Sequence, residues 1–470
     1  MAIHILPLIK SSHVLHASTH YALTAGEIGS RSLLVQGDLS EFEGQPHAES
    51  GALICPLTPH NAAVLRQRLP WLNPVPLGLR VSAGFGDRLG TATPGHLLSV
   101  AGTAVAPILA QQSVRENSRT GRTPQQVLDD AMWGVFYYGW RGAWGADADH
   151  LKTLEAILPF ADAGYSFYTI DPGDYVDDHA AEYDLETLHQ KAAQLDWAAL
   201  ATSPQDLITR LSGVHQLGGL TLNLTEEALL RSAVKYGAAV AHAARMSARI
   251  HELLGGRPFD LEVSVDETGS TTSALDHFYI VTELKRLGVA FVSIAPRFVG
   301  SFEKGVDYIG DWNELDADIA AHASIMQHFG NGYKLSLHTG SDKFGVYPIA
   351  LRHTGGLVHL KTAGTSYLEA LRLMTVVDPT LFRRILDFAR ARYTEDRRTY
   401  HVSALLDQVP ASSTLRDEQL PDLLNHFHSR QVLHVTFGSV LDTFGGELAE
   451  QIRRHEAQFH AGLKADFDRH

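Results

Sequence analysis

Eight short apolar segments recur between residues 75 and 361, and helical patterns separate most of them. Short apolar runs bounded by turn residues are typical of buried parallel strands, so we interpret each segment as a strand. Their alternation with helices predicts an α/β fold, a (β/α)8 TIM-like barrel, with a doubly wound sheet as the alternative. The segments lie at residues 75–82, 105–110, 259–265, 290–294, 335–337 and 357–360, and the third and fourth strands end within 145–153 and 167–178.

Polar side chains follow nearly all of these segments. The pattern is clearest in the last two, where His338 ends the seventh segment and His359 lies in the eighth. Parallel α/β enzymes hold their catalytic groups at the carboxyl ends of the strands. The pattern therefore favours the barrel over the doubly wound sheet and predicts an active site at this end of it.

The rest of the chain divides around this barrel. Residues 1–73 predict an N-terminal α/β extension, with a strand at 32–35 and a helix that begins near His60. Residues 74–365 form the predicted catalytic barrel, with a helical insertion after strand four at about 179–255, and residues 366–470 form a C-terminal helical region packed on it.

Composition and charge narrow the classes of function. With 44% apolar and 20% charged residues, the 470-residue chain is typical of soluble globular proteins, and its net charge of −14 argues against nucleic acids and anionic membranes as partners. No signal peptide and no apolar run of membrane-spanning length are visible. The single cysteine, Cys55, excludes internal disulfides and Cys-based zinc sites, and is consistent with the cytoplasm. We expect an enzyme that acts on a small molecule, and assembly into a homo-oligomer stays open.

A glycine-rich segment, GFGDRLGTATPG, occupies residues 84–95. Its spacing is not that of a dinucleotide-binding fingerprint, and the TATPG sequence is not expected to open a helix as that fingerprint requires. We therefore expect no nucleotide cofactor, and we predict a loop that presents Asp87 and Arg88.

Histidines and carboxylates at different strand ends suggest a metal site. Two or three imidazoles with a carboxylate and no thiolate suit Zn, Mn, Ni, Co or Fe with an open position for substrate. Strand alternation separates Glu267 from Asp266 unless the strand ends before these residues. We favour Glu267 for the metal and Asp266 for an acid–base role or a place beside the ligands. The predicted ligands are His150, Glu267, His338 and His359.

Cations and further carboxylates surround these ligands. The cations suit an anionic substrate, although several are expected to pair with neighbouring carboxylates, and the carboxylates could act as bases or bind hydroxyl groups. The residues alone indicate a metal-dependent barrel enzyme for a small, acidic, polyhydroxylated molecule. The cations are Arg88, Arg115, Lys152, Arg297, Lys343 and Lys361, and the carboxylates are Asp87, Asp149, Asp171, Asp174 and Asp342.

Long ordered motifs resemble the tagaturonate epimerase family from about residue 55 to the C-terminal helices. The motifs are GFGDRLGTATPGH (84–96), QQSVRENSRTGRTPQQVLDDAMWGVF (111–136), GADADHLKT (145–153), TIDPGDYVDD (169–178), SVDETGSTTS (264–273), IAPRFVGSFEKGVDYIGD (294–311) and LHTGSDKFGVYP (337–348). DADH at 147–150 and LHTGSD at 337–342 are also similar to metal-dependent class II aldolases, in which an Asp-His pair supplies a base and a ligand. Thr339 stands where the aldolase turn has its first glycine.

The resemblance implies interconversion of D-fructuronate and D-tagaturonate, which differ at one hydroxyl-bearing carbon β to the ketone. The hydrogen on that carbon is not acidified by the ketone, so we predict retro-aldol cleavage and re-addition with a metal as Lewis acid. Asp149 is the first choice for the base and Asp171 the second, with Asp266 also assigned to catalysis. The predicted substrate-binding residues are Asp87, Arg88, Gln112, Arg115, Lys152, Asp174, Arg297, Ser341, Asp342 and Lys361.

Other functions stay open at this point. Transient oxidation by a nicotinamide would also invert the carbon, and a metal-dependent aldolase would use the same groups but release its fragments. A barrel that binds a sugar acid without turnover is a third alternative. Fructose–tagatose conversion is a possible side activity.

Overall fold

The N-terminal part of the chain forms an antiparallel sheet. The computed structural model describes residues 7–26, 30–338 and 342–470. The strands pair in the order β1-β2-β3-β5-β4, and the predicted strand at 32–35 and helix near His60 are confirmed. The helix begins where Thr58 accepts a hydrogen bond from the Asn61 main-chain N–H, with a proline in its first turn. The elements are β1 (Val14–His16), β2 (Thr19–Leu23), β3 (Leu33–Gln36), β4 (Gln45–His47), β5 (Ala52–Cys55) and α1 (Pro59–Arg68).

Four strands alternate with helices in the next segment. The elements are β6 (Ser82–Phe85), α2 (Thr93–Val100), β7 (Ala106–Ser113), α3 (Val114–Thr120), α4 (Pro124–Tyr138), β8 (Gly145–Leu151), α5 (Ile157–Ala163) and β9 (Phe167–Ile170). The prediction for residues 75–82 is wrong in its bounds, since only Ser82 of that run belongs to β6. The N–H groups of Leu77 and Gly78 donate to Asp260 Oδ2 at 2.6 and 2.9 Å, which makes this run a loop.

The TATPG segment opens a helix, contrary to the sequence prediction. Helix α2 begins at Thr93, and Pro94 occupies its first turn, where the missing N–H costs nothing. The helix nevertheless follows a spacing that does not match the dinucleotide fingerprint.

The insertion after β9 contains a hairpin that sequence analysis missed. Its elements are α6 (Leu185–Gln194), α7 (Pro204–Leu211), β10 (Gly213–Leu217), β11 (Leu220–Leu224) and α8 (Glu226–Leu254). Strand β10 is exposed at three of its five positions, whereas β11 has leucine at every second position, a period-two signal that sequence analysis did not use. A second signal was the Gly218-Gly219 turn, since two glycines between short strands are typical of a tight hairpin.

Eight parallel strands close the barrel. The remaining elements of this part are β12 (Asp260–Ser264), α9 (Ala274–Arg286), β13 (Ser293–Ala295), α10 (Trp312–His328), β14 (Lys334–Leu337), α11 (Val346–Thr354) and β15 (Val358–Thr362). The closed order is β12-β13-β14-β15-β6-β7-β8-β9, with β15 paired to β6 and β9 paired to β12. The predicted (β/α)8 TIM-like barrel is confirmed.

The C-terminal part is helical, as predicted. It consists of α12 (Thr365–Val377), α13 (Pro379–Asp396), α14 (Phe427–Val435), α15 (Phe437–Arg454) and α16 (Glu456–Phe467), with 3-10 turns between α13 and α14. Helices α15 and α16 meet at His455, a position that carries neither glycine nor proline. The close packing of α16 on α2 requires Gly95, because a Cβ there would lie 2.6 Å from Leu463 Cδ1.

The domain boundaries at residues 73 and 365 stay predictions. In the described parts of the chain, none of the helices combines the length and the apolar character needed to cross a bilayer.

Candidate active site

An irregularity in β8 brings two consecutive side chains to the mouth of the barrel. Successive residues of a regular strand point to opposite faces. In β8 the pairing with β9 slips between Ala148 and Leu151, and His150 has φ 51°, a left-handed value that only a minority of non-glycine residues adopt. As a result Asp149 and His150 lie together, with Asp149 Oδ1 3.8 Å from His150 Nε2.

His150, Asp266 and His338 form one cluster. One nitrogen of each imidazole and one carboxylate oxygen of Asp266 lie within 4.8 Å of one another. The two rings meet edge to face at 4.9 Å, and His338 Nδ1 is 3.0 Å from Asp266 Oδ1. Two imidazoles and a carboxylate from three different strand ends suit a divalent metal ion.

A second group joins His150 to Asp171 and Glu267, again with one atom of each within 4.8 Å of the others. Asp171 Oδ2 lies 3.0 Å from His150 Nδ1, and its Oδ1 accepts the Gly173 N–H at 2.9 Å. Asp171 is therefore fixed by its own loop and in turn orients the His150 ring, as carboxylates do for ligand histidines in metal sites.

The choice between Asp266 and Glu267 does not follow from strand alternation. Strand β12 ends at Ser264, so both residues belong to the loop beyond it, where the alternation of faces no longer applies. Both side chains line the same cavity. Asp266 lies next to His338, whereas Glu267 lies with His150 and pairs with Arg115 NH2 at 3.1 Å.

Beneath the histidines lies a buried charge network around Lys361. Its ammonium lies 2.7 Å from Asp149 Oδ1, 2.8 Å from Asp147 Oδ2 and 3.0 Å from Glu262 Oε1. Sequence analysis missed Asp147 and Glu262. The period-two spacing of Asp147 and Asp149, and a carboxylate in the middle of an apolar strand, were the available signals.

The network reaches His338 through Glu262, whose Oε1 is 2.6 Å from His338 Nε2. Although burial opposes ionisation, the Lys361 ammonium and then His338 hold the pKa of Glu262 well below its usual range, and Lys361 with His150 does the same for Asp149. Burial, reinforced by Asp149 and Glu262, raises the pKa of Asp147 to about 7 against the effect of Lys361. One buried cation therefore keeps two of three carboxylates ionised.

The surrounding carboxylates also act on the histidines. Burial lowers the pKa of His150, but Asp149 and Glu267, with the hydrogen bond to Asp171, raise it to about 10. Asp266 is the main group that raises the pKa of His338 against burial. This anionic environment attracts cations, and a metal ion would have to displace the imidazole protons.

Two cavities open beside the cluster. The first, of about 470 Å³, is lined by Asp266, Glu267 and His338 from the barrel and by residues 399–401 from the C-terminal part. The second, of about 390 Å³, contains His150 and Lys152 in its lining and shares Glu267 with the first. Cavities of this size accommodate small molecules.

Several predicted substrate-binding residues have structural partners instead. Asp87 accepts three main-chain N–H groups, from Leu89, Gly90 and Ala92, and so shapes its loop. Arg88 donates to Glu116 Oε1 at 2.7 Å, and its guanidinium lies 3.6 Å from the centre of the Phe437 ring.

Other predicted residues lie at or near the barrel mouth with partners of their own. Gln112 Oε1 accepts from Arg122, whereas the unpredicted neighbour Gln111 donates to Asp149 Oδ2 at 3.4 Å. The remaining predicted contacts are Lys152 with Asp174 at 3.0 Å, Asp342 with Arg430 at 2.6 Å, and Arg297 NH1 with the Asp266 carbonyl at 3.4 Å. Ser341 lies outside the described residues.

His359 does not join the cluster. It lies fully buried inside the barrel, with Nδ1 3.0 Å from Ser82 Oγ and its ring 5.3 Å from that of Phe167. Burial lowers its pKa to about 3, so the imidazole is neutral. The geometry offers no grouping of His359 with the other predicted ligands.

Comparison with known proteins identifies the family of this chain. The profile of the tagaturonate epimerase family matches residues 12–470. The chain belongs to this family. A curated relative from Thermotoga maritima, named tagaturonate/fructuronate epimerase, is 41% identical over 462 residues, which cover 96% of this chain and 94% of that protein. The resemblance seen in the sequence is confirmed, and the protein is an isomerase.

Solved structures extend the match to the whole fold. The native crystal structure of fructuronate-tagaturonate epimerase from Cohnella laeviribosi superposes with a TM-score of 0.92 at 33% identity, covering 100% of this chain and 96% of that one. A form of the same enzyme complexed with one glycerol superposes with a TM-score of 0.93 at 33% identity and covers 99% of this chain and 95% of that one.

Proposed function

We propose that this protein interconverts D-fructuronate and D-tagaturonate in the cytoplasm, with one divalent metal ion at the mouth of the barrel. The observation that carries the proposal is the cluster of His150, Asp266 and His338 beside a cavity of about 470 Å³, in a chain of this family. The substrates are those named for the relative from Thermotoga maritima.

The donor set fits a metal. His150 and His338, with Asp266 or Glu267, would hold the ion, and Asp171 would orient His150. A divalent ion there supplies Lewis-acid stabilisation of negative charge on the ketone oxygen of the substrate. His359 is left out of this set because its described contacts are with Ser82 and Phe167.

Asp149 is the proposed base. It takes the proton from the hydroxyl group β to the ketone, and the carbon–carbon bond between the α- and β-carbons breaks. The bonding pair stays on the α-carbon side as an enediolate, and the β-carbon becomes an aldehyde. After the aldehyde rotates, the bond re-forms on its other face and Asp149 returns the proton. Lys361, at 2.7 Å, keeps Asp149 ionised for the first step.

The cations at the mouth are proposed to bind the carboxylate of the substrate. Arg297 lines the first cavity and Arg115 the second, so both stay predicted substrate-binding residues. A guanidinium can bind a carboxylate through two parallel hydrogen bonds.

The test is turnover of D-fructuronate followed by NMR, before and after EDTA and after adding back single divalent metals. We expect tagaturonate formation that EDTA abolishes and metal restores, with no solvent deuterium at the inverted carbon. Deuterium at that carbon would exclude retro-aldol inversion but not the activity, and accumulation of a free aldehyde would favour an aldolase. If no metal supports conversion, the proposed function is wrong.

A further inference from the structure

The cations predicted from the sequence are all engaged by protein groups. Four are held in ion pairs, and the other two, Arg297 and Lys343, donate to main-chain carbonyl oxygens. A cation already paired offers less to an anionic ligand, because the ligand must compete with the partner. The four pairs are Arg88 with Glu116, Arg115 with Glu267, Lys152 with Asp174, and Lys361 with its three carboxylates.

Lys304 is different. It is half-buried and lines the same cavity as Asp266, Glu267 and His338. Among the described residues, no carboxylate forms an ion pair with its ammonium, and no side chain accepts a hydrogen bond from it. Its charge nevertheless helps to lower the pKa of Glu267, after the larger effect of His150, so the two groups share one electrostatic environment.

The backbone on both sides of Lys304 is fixed by a buried lysine. Lys343 Nζ donates to the Glu303 carbonyl oxygen at 2.7 Å and also to that of Val306. Lys343 is fully buried and follows β14, the strand that leads into His338. The loop that carries Lys304 is thereby tied to the part of the barrel that carries a proposed metal ligand.

The C-terminal part holds the same loop from the other side. The Glu303 carboxylate accepts from Ser403 Oγ and from Gln431 Nε2, both at 2.7 Å, and Arg430 Nε donates to the Gly305 carbonyl at 2.7 Å. Main-chain and side-chain bonds on either side of Lys304 leave its side chain to extend from a rigid support. Because this backbone is already fixed before binding, less entropy is lost in ordering the loop when a ligand arrives.

We propose that Lys304, together with Arg297 in the lining of the same cavity, binds the carboxylate of the sugar-acid substrate and so determines the preference for uronates over neutral ketoses. This assignment rests on the proposed function. The ketone end of the substrate lies toward His150, Asp266 and His338, and its carboxylate lies toward Lys304 across the cavity. An unpaired ammonium beside two carboxylates, Asp266 and Glu267, also compensates the approach of a third negative group.

The test compares Lys304→Met with Lys304→Arg. Losing a charge-assisted contact is expected to raise KM for D-fructuronate about 10- to 100-fold in Lys304→Met, with a smaller change in kcat. Lys304→Arg keeps the charge and should recover much of the affinity. Lys191→Met, which removes an exposed lysine on α6, is the matched control for loss of one positive charge and should behave as the wild-type protein.

Calorimetric binding of D-galactonate, a six-carbon sugar acid without a ketone, tests the same assignment independently of turnover. Lys304→Met should weaken this binding by a similar factor. If the wild-type protein does not turn over fructuronate but Lys304→Met still weakens galactonate binding, the proposed function is wrong and the assignment of Lys304 stands. If turnover occurs with the same KM in both proteins, or if galactonate binds both equally or neither, the assignment is overturned.

Discussion

The Lys361 ammonium lies 2.7 Å from Asp149 Oδ1, fully inside the barrel, and it also pairs with Asp147 and Glu262. A single cation thus balances three carboxylates directly beneath the proposed metal site. Removing one partner of a buried ion pair is far more costly than removing a surface pair, because the remaining charges lose their compensation without returning to water.

Lys361→Met should therefore lower the free energy of unfolding by about 3–5 kcal/mol. Denaturant unfolding at pH 7.5 measures this change. Adding Glu262→Gln to the same protein should recover part of the loss, because one carboxylate fewer then lies without a cation. Equal stability of wild-type protein and Lys361→Met would show that Lys361 does not compensate buried, ionised carboxylates.

The metal content of variants distinguishes His150 and His338, which belong to the cluster, from His359, which does not. His150→Ala and His338→Ala should lose most of their bound metal, since each removes an imidazole from the cluster. His359→Gln should keep its metal, because His359 contacts Ser82 and Phe167 and not the cluster. Mass spectrometry of the purified proteins for metals measures the stoichiometry. Loss of metal in His359→Gln would restore that residue to the ligand set.

Asp149 and Asp171 should respond differently to removal of their charge. Asp149→Asn is expected to lower kcat by about 10²- to 10⁴-fold at full metal occupancy, because proton transfer loses its acceptor. Asp171→Asn should weaken metal affinity about 10- to 100-fold, because His150 loses the carboxylate that orients it. Kinetics at saturating and limiting metal distinguish the two, and the reverse pattern would exchange their roles.

A buried histidine pair between α9 and α10 should make the fold sensitive to acid. His277 Nδ1 lies 2.9 Å from His322 Nδ1, and Tyr333 OH lies 3.0 Å from His277 Nε2. Burial lowers the pKa of His322 to about 4 and that of His277 well below its usual range. Both imidazoles are therefore neutral in the folded protein at pH values where an unfolded chain is protonated.

The direction in which the free energy of unfolding changes with pH follows from proton uptake by the unfolded chain. Below pH of about 6.5 the unfolded chain binds protons that the folded protein excludes, so the free energy of unfolding falls by up to about 1.4 kcal/mol per pH unit for each histidine, down to the folded pKa. The double variant His277→Gln/His322→Gln should show a shallower slope between pH 6.5 and 4.5. Unfolding curves across that range measure it, and parallel slopes would contradict the assignment.

The sequence predicts those elements of the fold that depend on the local pattern of apolar and polar residues. Eight apolar segments ending in polar residues were enough for the barrel, because strand burial and the position of active sites both leave a periodic signal. The start of α4 carries the same kind of local signal, since Thr123 caps the helix and Pro124 occupies its first turn. The β10–β11 hairpin was missed because only three of its ten strand positions are buried.

The site itself was harder to predict, since it depends on pairing across the barrel. The choice between Asp266 and Glu267 needed the end of β12, and the partners of Asp87 and Arg88 lie in loops and helices that no periodicity connects to them. Lys304 lies within the motif at residues 294–311, but sequence analysis did not single it out. What distinguishes Lys304 is that no carboxylate among the described residues forms an ion pair with it, and only the three-dimensional structure shows this.

The C-terminal wall of the cavity affects when a newly synthesised chain becomes active and how substrate specificity diverges among relatives. Residues 399–401 complete a cavity whose acid–base groups lie far earlier in the chain. A nascent chain that has finished its barrel still lacks this wall, so we expect activity only after residues 399–401 have docked on the barrel. Since that wall carries no proposed metal ligand, relatives can alter the sugars they accept by changing it while the barrel keeps its chemistry.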